Sequence, residues 1–565
     1  MSESTLATPP KNIEQQGNSA MREVPSEDQT LELQERDDLE KGTTENAPTD
    51  MGGQSAVLPF KNVILICIGL CLSVLLCALD QTIVSTALPK LASEFNALSL
   101  ISWVGTSYQI TMTIFQPLYG RFSDIFGRRP TFLFAILVFL GASAVCGASN
   151  SMVMLIVFRA VQGIGGGGVI SLAMIIMADI TSPRDRGKYQ GLIGAAWAIA
   201  SVIGPFLGGV FVDRATWRWA FYVNLPIGAV AILMIIFVLR LPPVKGDFKS
   251  KIKRIDYLGS FTLGAAVILI LLAISLGGNQ LAWNSPTIIV LFVVGFVALL
   301  AFLPVEAKLA LDPVIPLRLF RIRNFSIITF ASLLFGIGFF LYLFYMPVYF
   351  QVVLSEDATT SGAQLIPSTV VLVAFSITGG ILVSKTGSLR IFIWVGFVAM
   401  VVGAGILSTL DQYSSRARQI GYTIIPSFGL GLNIQNLLLV SQVSVPPKDI
   451  AVSTSVTLFF RTVGMAIGIA LGGTIINNQL ASGLTDLPIP IEVVKNNMEE
   501  IQKLAPELRN HVISEYVSGI QWCFRTCVIL WGVGFLSLLL LKKPQLPKTR
   551  KNEPAAQVSK EVSLH

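Results

Sequence analysis

Apolar runs of roughly 18 to 24 residues recur from Asn62 to Leu541, separated by short polar segments. A helix rises about 1.5 Å per residue, so each run can cross a hydrocarbon layer about 30 Å thick. The runs fall at approximately 62–82, 100–119, 131–149, 152–178, 189–211, 219–239, 257–277, 286–304, 326–350, 361–383, 389–409, 420–443, 453–475 and 519–541. This pattern predicts an all-α integral membrane protein with fourteen transmembrane helices. An even number of crossings puts both termini on one side.

The chain has 565 residues, 53% of them apolar and only 13% charged, with mean hydropathy +0.67. Soluble chains carry roughly twice that charge. Lysine and arginine then orient the helices, because cytoplasmic loops carry an excess of both. With a cytoplasmic amino terminus, 30 of the 41 basic residues fall on the cytoplasmic side and 8 on the other. The first 61 residues hold twelve acidic and five basic side chains and no apolar segment. They read as a disordered acidic cytoplasmic tail without a cleavable signal, and residues 542–565 as a basic cytoplasmic tail. The polar stretch 477–518 is expected to form an outer loop with a helix-like charged patch at 492–509.

The candidate chemistry is sparse. Six cysteines lie in or at the rims of the spans, and the two histidines are His511 and His565. No spacing suggests a metal site or disulfides, so no metal and no cofactor are expected. No nucleophile, base and orienting group converge, which argues against an enzyme, and no repeated filter suggests a channel. The composition equally disfavours a nucleic-acid partner. Ionisable groups inside spans are costly, and three stand out: Asp80, Arg159 and Arg461. Asp80 is either a helix-end cap or one half of a fixed salt bridge, or else a carboxylate that takes and releases a proton while meeting a cationic solute. Arg159 holds a fixed charge that some acceptor must answer, and Arg525 is near enough to a rim to snorkel.

Small residues add a second layer. Gly163 to Gly168 follow Arg159 by one turn, without the strand or the Lys-Ser/Thr of a phosphate cradle. Gly204, Pro205, Gly208 and Gly209 mark a second such stretch, read as either static close packing or a moving interface. Between helices 2 and 3, Gly120 and Gly127 bracket Asp124, with Arg128 and Arg129 just beyond. These charges are expected to form an ion-pair latch.

Gly120 to Arg129 (Gly-Arg-Phe-Ser-Asp-Ile-Phe-Gly-Arg-Arg) resembles the loop 2–3 signature of the major facilitator superfamily. Leu155 to Gly163 (Leu-Ile-Val-Phe-Arg-Ala-Val-Gln-Gly) resembles its helix 4 signature, and Gly204 to Gly209 (Gly-Pro-Phe-Leu-Gly-Gly) the helix 5 motif of its antiporters. Leu79 to Pro89 (Leu-Asp-Gln-Thr-Ile-Val-Ser-Thr-Ala-Leu-Pro) and Trp217 to Pro226 (Trp-Arg-Trp-Ala-Phe-Tyr-Val-Asn-Leu-Pro) are similar to hallmarks of its fourteen-helix drug:proton antiporter branch. The likeness covers about 61–541.

The resemblance implies an N-terminal six-helix bundle at 62–239, a linker at 240–325 carrying two inserted helices (257–277 and 286–304), and a C-terminal six-helix bundle at 326–541. It also implies alternating access driven by the proton gradient, with Asp124 and Arg128 on the conformational latch and Asp80 and Arg159 tied to proton coupling. Helix 13 is similar to the branch pattern around Arg461, whose alternative role is to pair with a polar group of the opposite bundle. The fungal members include plasma-membrane multidrug, toxin and metabolite exporters and vacuolar basic amino acid transporters. Trp103, Tyr108, Gln109, Trp197, Phe339, Tyr342 and Tyr345 offer cavity surface suited to amphipathic or cationic molecules, which favours efflux at the plasma membrane over the vacuolar alternative. The expected partners are a small-molecule substrate, protons and membrane lipid, with the protein working as a monomer.

Overall fold

The computed structural model describes residues 60–95, 100–239, 247–278, 281–356, 358–484 and 504–544, together with 241 and 244. Fourteen long helices run through these residues. They are α1 (Phe60–Glu94), α2 (Ile101–Phe126), α3 (Arg128–Gly147), α4 (Met152–Ile180), α5 (Arg186–Arg214), α6 (Trp219–Val238), α7 (Tyr257–Leu276) and α8 (Pro286–Pro304). The second part of the chain adds α9 (Arg323–Val348), α10 (Ala358–Thr386), α11 (Leu389–Leu407), α12 (Arg416–Val443), α13 (Ile450–Gly483) and α14 (Pro506–Leu539). Among the described residues the only bridge of β type is an isolated one, Gly277 to Leu281. A backbone that crosses lipid must bond within itself, and helices satisfy this segment by segment.

All fourteen apolar runs lie in helices. Thirteen of these helices are long and apolar enough to cross a membrane. The exception is α2, which carries Ser107, Thr111, Thr113 and Gln116 along its length. Local chemistry sets several boundaries. Ser151 and Ser285 accept the Met154 and Ile288 backbone N–H groups at 3.2 and 3.3 Å, and Asp256 accepts that of Gly259 at 2.8 Å. Gly127 ends α2 and starts α3 at φ +101°, a conformation that excludes most side chains.

The described parts of 477–518 are helical, in keeping with the expected part-helical loop, and the helix lies at its two ends. Helix α13 continues to Gly483 and α14 starts at Pro506, so both ends of this stretch are helical extensions. The two extensions are joined, with Gln479 Nε2 donating to Glu515 Oε2 at 2.9 Å and His511 Nε2 lying 3.0 Å from the Gly483 carbonyl. Polar helix ends do not register as apolar runs, which is why the pattern stops short. Most of the charged patch at 492–509, like the acidic tail, lies outside the described residues.

Helix pairing in the first part recurs in the last part with every number raised by eight. Thus α1 packs on α5 and α9 on α13, α2 on α4 and α10 on α12, α3 on α4 and α11 on α12, and α1 on α6 and α9 on α14. The α7/α8 pair falls outside this repetition and packs through α7 on α2 and α13. Four pairings join the repeats: α2 with α13 and α5 with α10, and, less extensively, α4 with α13 and α5 with α12. Helix α4 is the most enclosed, and its glycines explain how. A Cβ at Gly163, Gly165 or Gly167 would meet the α2 or α3 backbone at 2.3 to 2.6 Å, so these helices touch main chain to main chain. At the other extreme α8 exposes Val290, Val293, Phe296 and Val297, side chains that a hydrocarbon phase accepts.

Candidate functional site

Asp80 on α1, Arg159 and Gln162 on α4, and Asn224 on α6 meet in one fully buried polar network. Arg159 Nη1 donates to Asp80 Oδ2 at 2.5 Å and to Gln162 Oε1 at 2.8 Å. Arg159 Nε donates to the Val104 carbonyl at 3.1 Å. The other carboxylate oxygen, Asp80 Oδ1, accepts from Gln162 Nε2 at 2.8 Å and Asn224 Nδ2 at 2.9 Å. Ser143 on α3 accepts a second bond from Asn224 Nδ2 at 3.0 Å and passes its own proton to the Phe221 carbonyl. The guanidinium lies 4.4 Å from the Tyr108 ring centroid, a cation–π contact that further occupies it.

The network answers both costs named from the sequence. The carboxylate is neither bare nor a helix cap, and the guanidinium has its counter-charge. Two buried opposite charges remain acceptable only when the geometry is good and the leftover donors and acceptors are filled. The amides of Gln162 and Asn224 do that filling. They were not singled out as site residues, although both stand in quoted motifs. The carboxylate is fully buried, with two donors on Oδ1 and one on Oδ2.

The helix 5 motif sits beside this network. A Cβ on Gly204 would lie 1.9 Å from Thr82 Oγ1, and Thr82, two residues after Asp80, donates to the Ala200 carbonyl at 3.2 Å. The motif therefore fixes α5 against α1 next to the buried carboxylate. Gly208 is buried, a Cβ at Gly209 would enter open space, and the side chain of Pro205 lies outside the described residues.

A second ionic cluster forms at the near end, where α1 begins. Arg128 Nη1 donates to Asp124 Oδ1 at 2.6 Å and to Ser123 Oγ at 2.7 Å, while its Nε donates to Asp179 Oδ2 at 2.7 Å. One guanidinium thereby ties the end of α2, the start of α3 and the end of α4. Asp179 completes this ionic cluster and is not among the residues picked out from the sequence. Arg129 does not join it and donates to the Ile236 carbonyl on α6 at 2.7 Å. Gly120 presses on α13 instead, since a Cβ there would stand 2.0 Å from Ser455 Oγ.

The segment between α8 and α9 straps this end. Arg121 Nε donates to the Pro313 carbonyl at 2.6 Å, and Arg318 makes two bonds of 2.7 Å to the carboxylate of Asp449 at the start of α13. Hydrogen bonding to Asp449 holds the Arg318 guanidinium above its ordinary pKa. Near the start of α5, that helix and α10 meet at main-chain distance, where a Cβ on Gly380 would lie 2.2 Å from the Gly187 carbonyl oxygen. Arg184 adds bonds to the Ser384 and Lys385 carbonyls, and Gln190 Nε2 reaches Gln442 Oε1 at 3.2 Å.

The expected cavity residues divide. Trp197 and Phe339 approach across the two repeats at 6.4 Å between ring centroids. Trp103 and Gln109 are half-buried on α2, while Tyr108 is buried against Arg159. Tyr342 lies 3.3 Å from the Thr423 carbonyl and 3.2 Å from Ser427 Oγ, and Tyr345 donates to the Ile469 carbonyl at 2.8 Å, so both hydroxyls are taken up inside the second repeat. Arg461 does not reach the opposite repeat: its Nη1 donates to the Ile434 carbonyl on the neighbouring α12 at 3.0 Å. Arg525 is exposed, with its guanidinium 4.9 Å from the Trp522 ring, as a rim residue would be.

Residues 70–469 match the Major Facilitator Superfamily. The chain is 36% identical over 501 residues to the MFS-type efflux pump MFS1 of Arthroderma benhamiae, covering 86% of this chain and 92% of that one. It is also 36% identical over 422 residues to the multidrug transporter protein MdtP of Bacillus subtilis, covering 75% and 77%. In fold it is similar to the human organic anion transporter MFSD10, with TM-score 0.54 at 16% identity over 85% of this chain and all of that one. The chain belongs to the major facilitator superfamily: it is a multi-pass membrane protein of a small-molecule transporter family, not an enzyme.

Proposed function

We propose that the protein is a proton-coupled antiporter of the fourteen-helix branch that exports amphipathic drugs, toxins or metabolites from the cytosol by alternating access. The two moving bodies are 62–239 and 326–541, with 240–325 strapping them, both tails cytoplasmic, and the plasma membrane as the site of action. The observation that carries this reading is the Asp80–Arg159 pair, an ionisable carboxylate deep in the helices whose every partner is resident. A proton on Asp80 cancels the charge that Arg159 needs, and breaking such a pair costs about 3–5 kcal/mol. That cost favours a rearrangement of α1 against α4 and α5, and proton release on the cytoplasmic side restores the pair. Efflux-pump and multidrug-transporter relatives support the export direction. The vacuolar exchange of basic amino acids has no comparable support, since Asp80 is fully buried and already held by Arg159, Gln162 and Asn224.

The test is solute-driven proton movement in proteoliposomes with an imposed pH gradient. Adding an exported amphipathic dye should dissipate the gradient, and dye flux should fall when the gradient is collapsed; flux indifferent to the gradient would overturn the reading. Deleting residues 1–55 is expected to change abundance or sorting and to leave turnover per molecule within about twofold, because the segment has no span to contribute. A large loss of turnover at matched amount and location would make the tail part of the cycle.

The latch gives a separate expectation. Asp124→Asn keeps the shape but removes one of the two charges on Arg128, and a hydrogen bond to a charged group contributes about 1.5–3 kcal/mol. Transport should drop about tenfold with the protein still inserted, and Asp179→Asn should do the same. Wild-type rates from either variant at matched protein amounts would show the cluster to be only an anchor.

A further inference from the structure

The geometry points to Arg461 as the residue that selects the transported solute, and to solutes carrying a carboxylate, a phenolate or clustered carbonyl oxygens on an aromatic body. This rests on the transport reading above. Arg461 stands three residues after Leu458 on α13, and Leu458 packs into a core built mainly from α1 to α6, so this side of α13 is turned toward the first repeat. The residue is partly exposed, yet its Nε is shut off from solvent with no acceptor, and Nη1 meets one carbonyl. A guanidinium has five N–H donors and cannot be deprotonated at any working pH.

No carboxylate among the described residues pairs with it, and the one deep carboxylate, Asp80, is committed to Arg159. Among the described residues the middle of the spans therefore carries two guanidiniums, Arg159 and Arg461, against one carboxylate. A guanidinium answered by a single carbonyl in a membrane helix is costly, and an acidic oxygen on a solute would lower that cost. The neighbourhood suits an aromatic body. Gly336 of α9 lies against the Arg461 backbone, where a Cβ would be 2.2 Å from its carbonyl oxygen. One turn further along α9, Phe339 faces Trp197 of α5 across the two repeats. Of the amphipathic or cationic solutes expected from the sequence, this inference favours amphipathic ones that carry an acidic oxygen.

Three probes with one body separate the alternatives: 4-(1-pyrenyl)butanoate, its methyl ester, and the corresponding trimethylammonium derivative. Equilibrium binding to the full-length protein in lipid nanodiscs should favour the carboxylate over the ester by at least about tenfold, with the ammonium compound weakest. Arg461→Gln should bring the three within about threefold of one another, and Arg461→Lys should keep part of the preference, because charge survives and the planar fork does not. Ammonium binding equal to or tighter than carboxylate binding in the wild type would overturn the inference, and needs no variant to fold. A carboxylate preference that persists in Arg461→Gln would overturn it as well. Binding in the expected order without any gradient-driven flux would support this inference and sink proton coupling alone.

Discussion

Asp80→Asn is expected to abolish proton-driven export while the protein remains inserted. In the wild type, Oδ1 accepts from Gln162 at 2.8 Å and Asn224 at 2.9 Å, and Oδ2 accepts from Arg159 at 2.5 Å. Asparagine brings one oxygen to three donors and points its own amide N–H at one of them. Arg159 is left a buried cation without its counter-charge, a loss of about 3–5 kcal/mol, and the site of protonation is gone. Export in inside-out vesicles should fall at least tenfold at matched protein amounts, since about 1.4 kcal/mol already corresponds to tenfold. Arg159→Lys should also transport poorly. A single ammonium cannot reach the Val104 carbonyl as well as Asp80 and Gln162, which the guanidinium engages through two different nitrogens. Equal export and equal proton uptake by wild type and Asp80→Asn would reduce the pair to a structural tie.

Gly380→Val is the second large effect. The added Cβ would stand 2.2 Å from the Gly187 carbonyl oxygen and 2.6 Å from the Lys188 backbone nitrogen, atoms of a helix main chain that cannot turn aside. Overpacking of this kind costs about 1–3 kcal/mol, enough to shift a two-state equilibrium by about 5- to 150-fold away from the state in which α5 and α10 touch. The variant should accumulate with its near end parted and transport at least tenfold more slowly. A cysteine placed at Ser384 should become reactive toward a water-soluble maleimide. Gly141→Val, where a Cβ meets nothing within 4 Å, should stay within about twofold of wild type because surface changes usually alter stability by less than about 0.5 kcal/mol. Unchanged transport and unchanged labelling by Gly380→Val would show that this contact persists through the cycle.

The helices were legible because a membrane demands long apolar runs, and every run is helical. Asp80, Arg159 and Arg461 were legible for the complementary reason, that charges stand out where charges are costly. Their partners were harder to see. Asn224 lies 144 residues from Asp80, and no period links an amide in α6 to a carboxylate in α1. The available signal was weak but present: Gln162 and Asn224 are strongly polar side chains within apolar spans. Asp179 carried a stronger one, an acid one residue from the end of a spanning helix, facing the same side as Arg128. The roles of Arg128 and Arg129 could not be separated, because adjacent helix positions point about 100° apart and the sequence does not say which direction holds the partner. The extensions of α13 and α14 were missed because a helix that leaves the hydrocarbon loses its apolar pattern and keeps its hydrogen bonds.

The placement of the Asp80–Arg159 pair also bears on how the chain is made. The two residues are separated by 79 positions, which at roughly 5–20 residues per second means that Arg159 emerges about 4–16 s after Asp80. Asn224 follows Asp80 by 144 positions, still well before α9 is synthesised. The strap is slower to close, because Arg121 must wait 192 residues for Pro313. The helices that would be hardest to release into lipid thus find their counter-charges within the first six segments, while the ties between repeats form only after the ribosome has delivered the second half. A nascent chain arrested after α6 should already hold the Asp80–Arg159 pair, with the strap and the ties to the second repeat still to form.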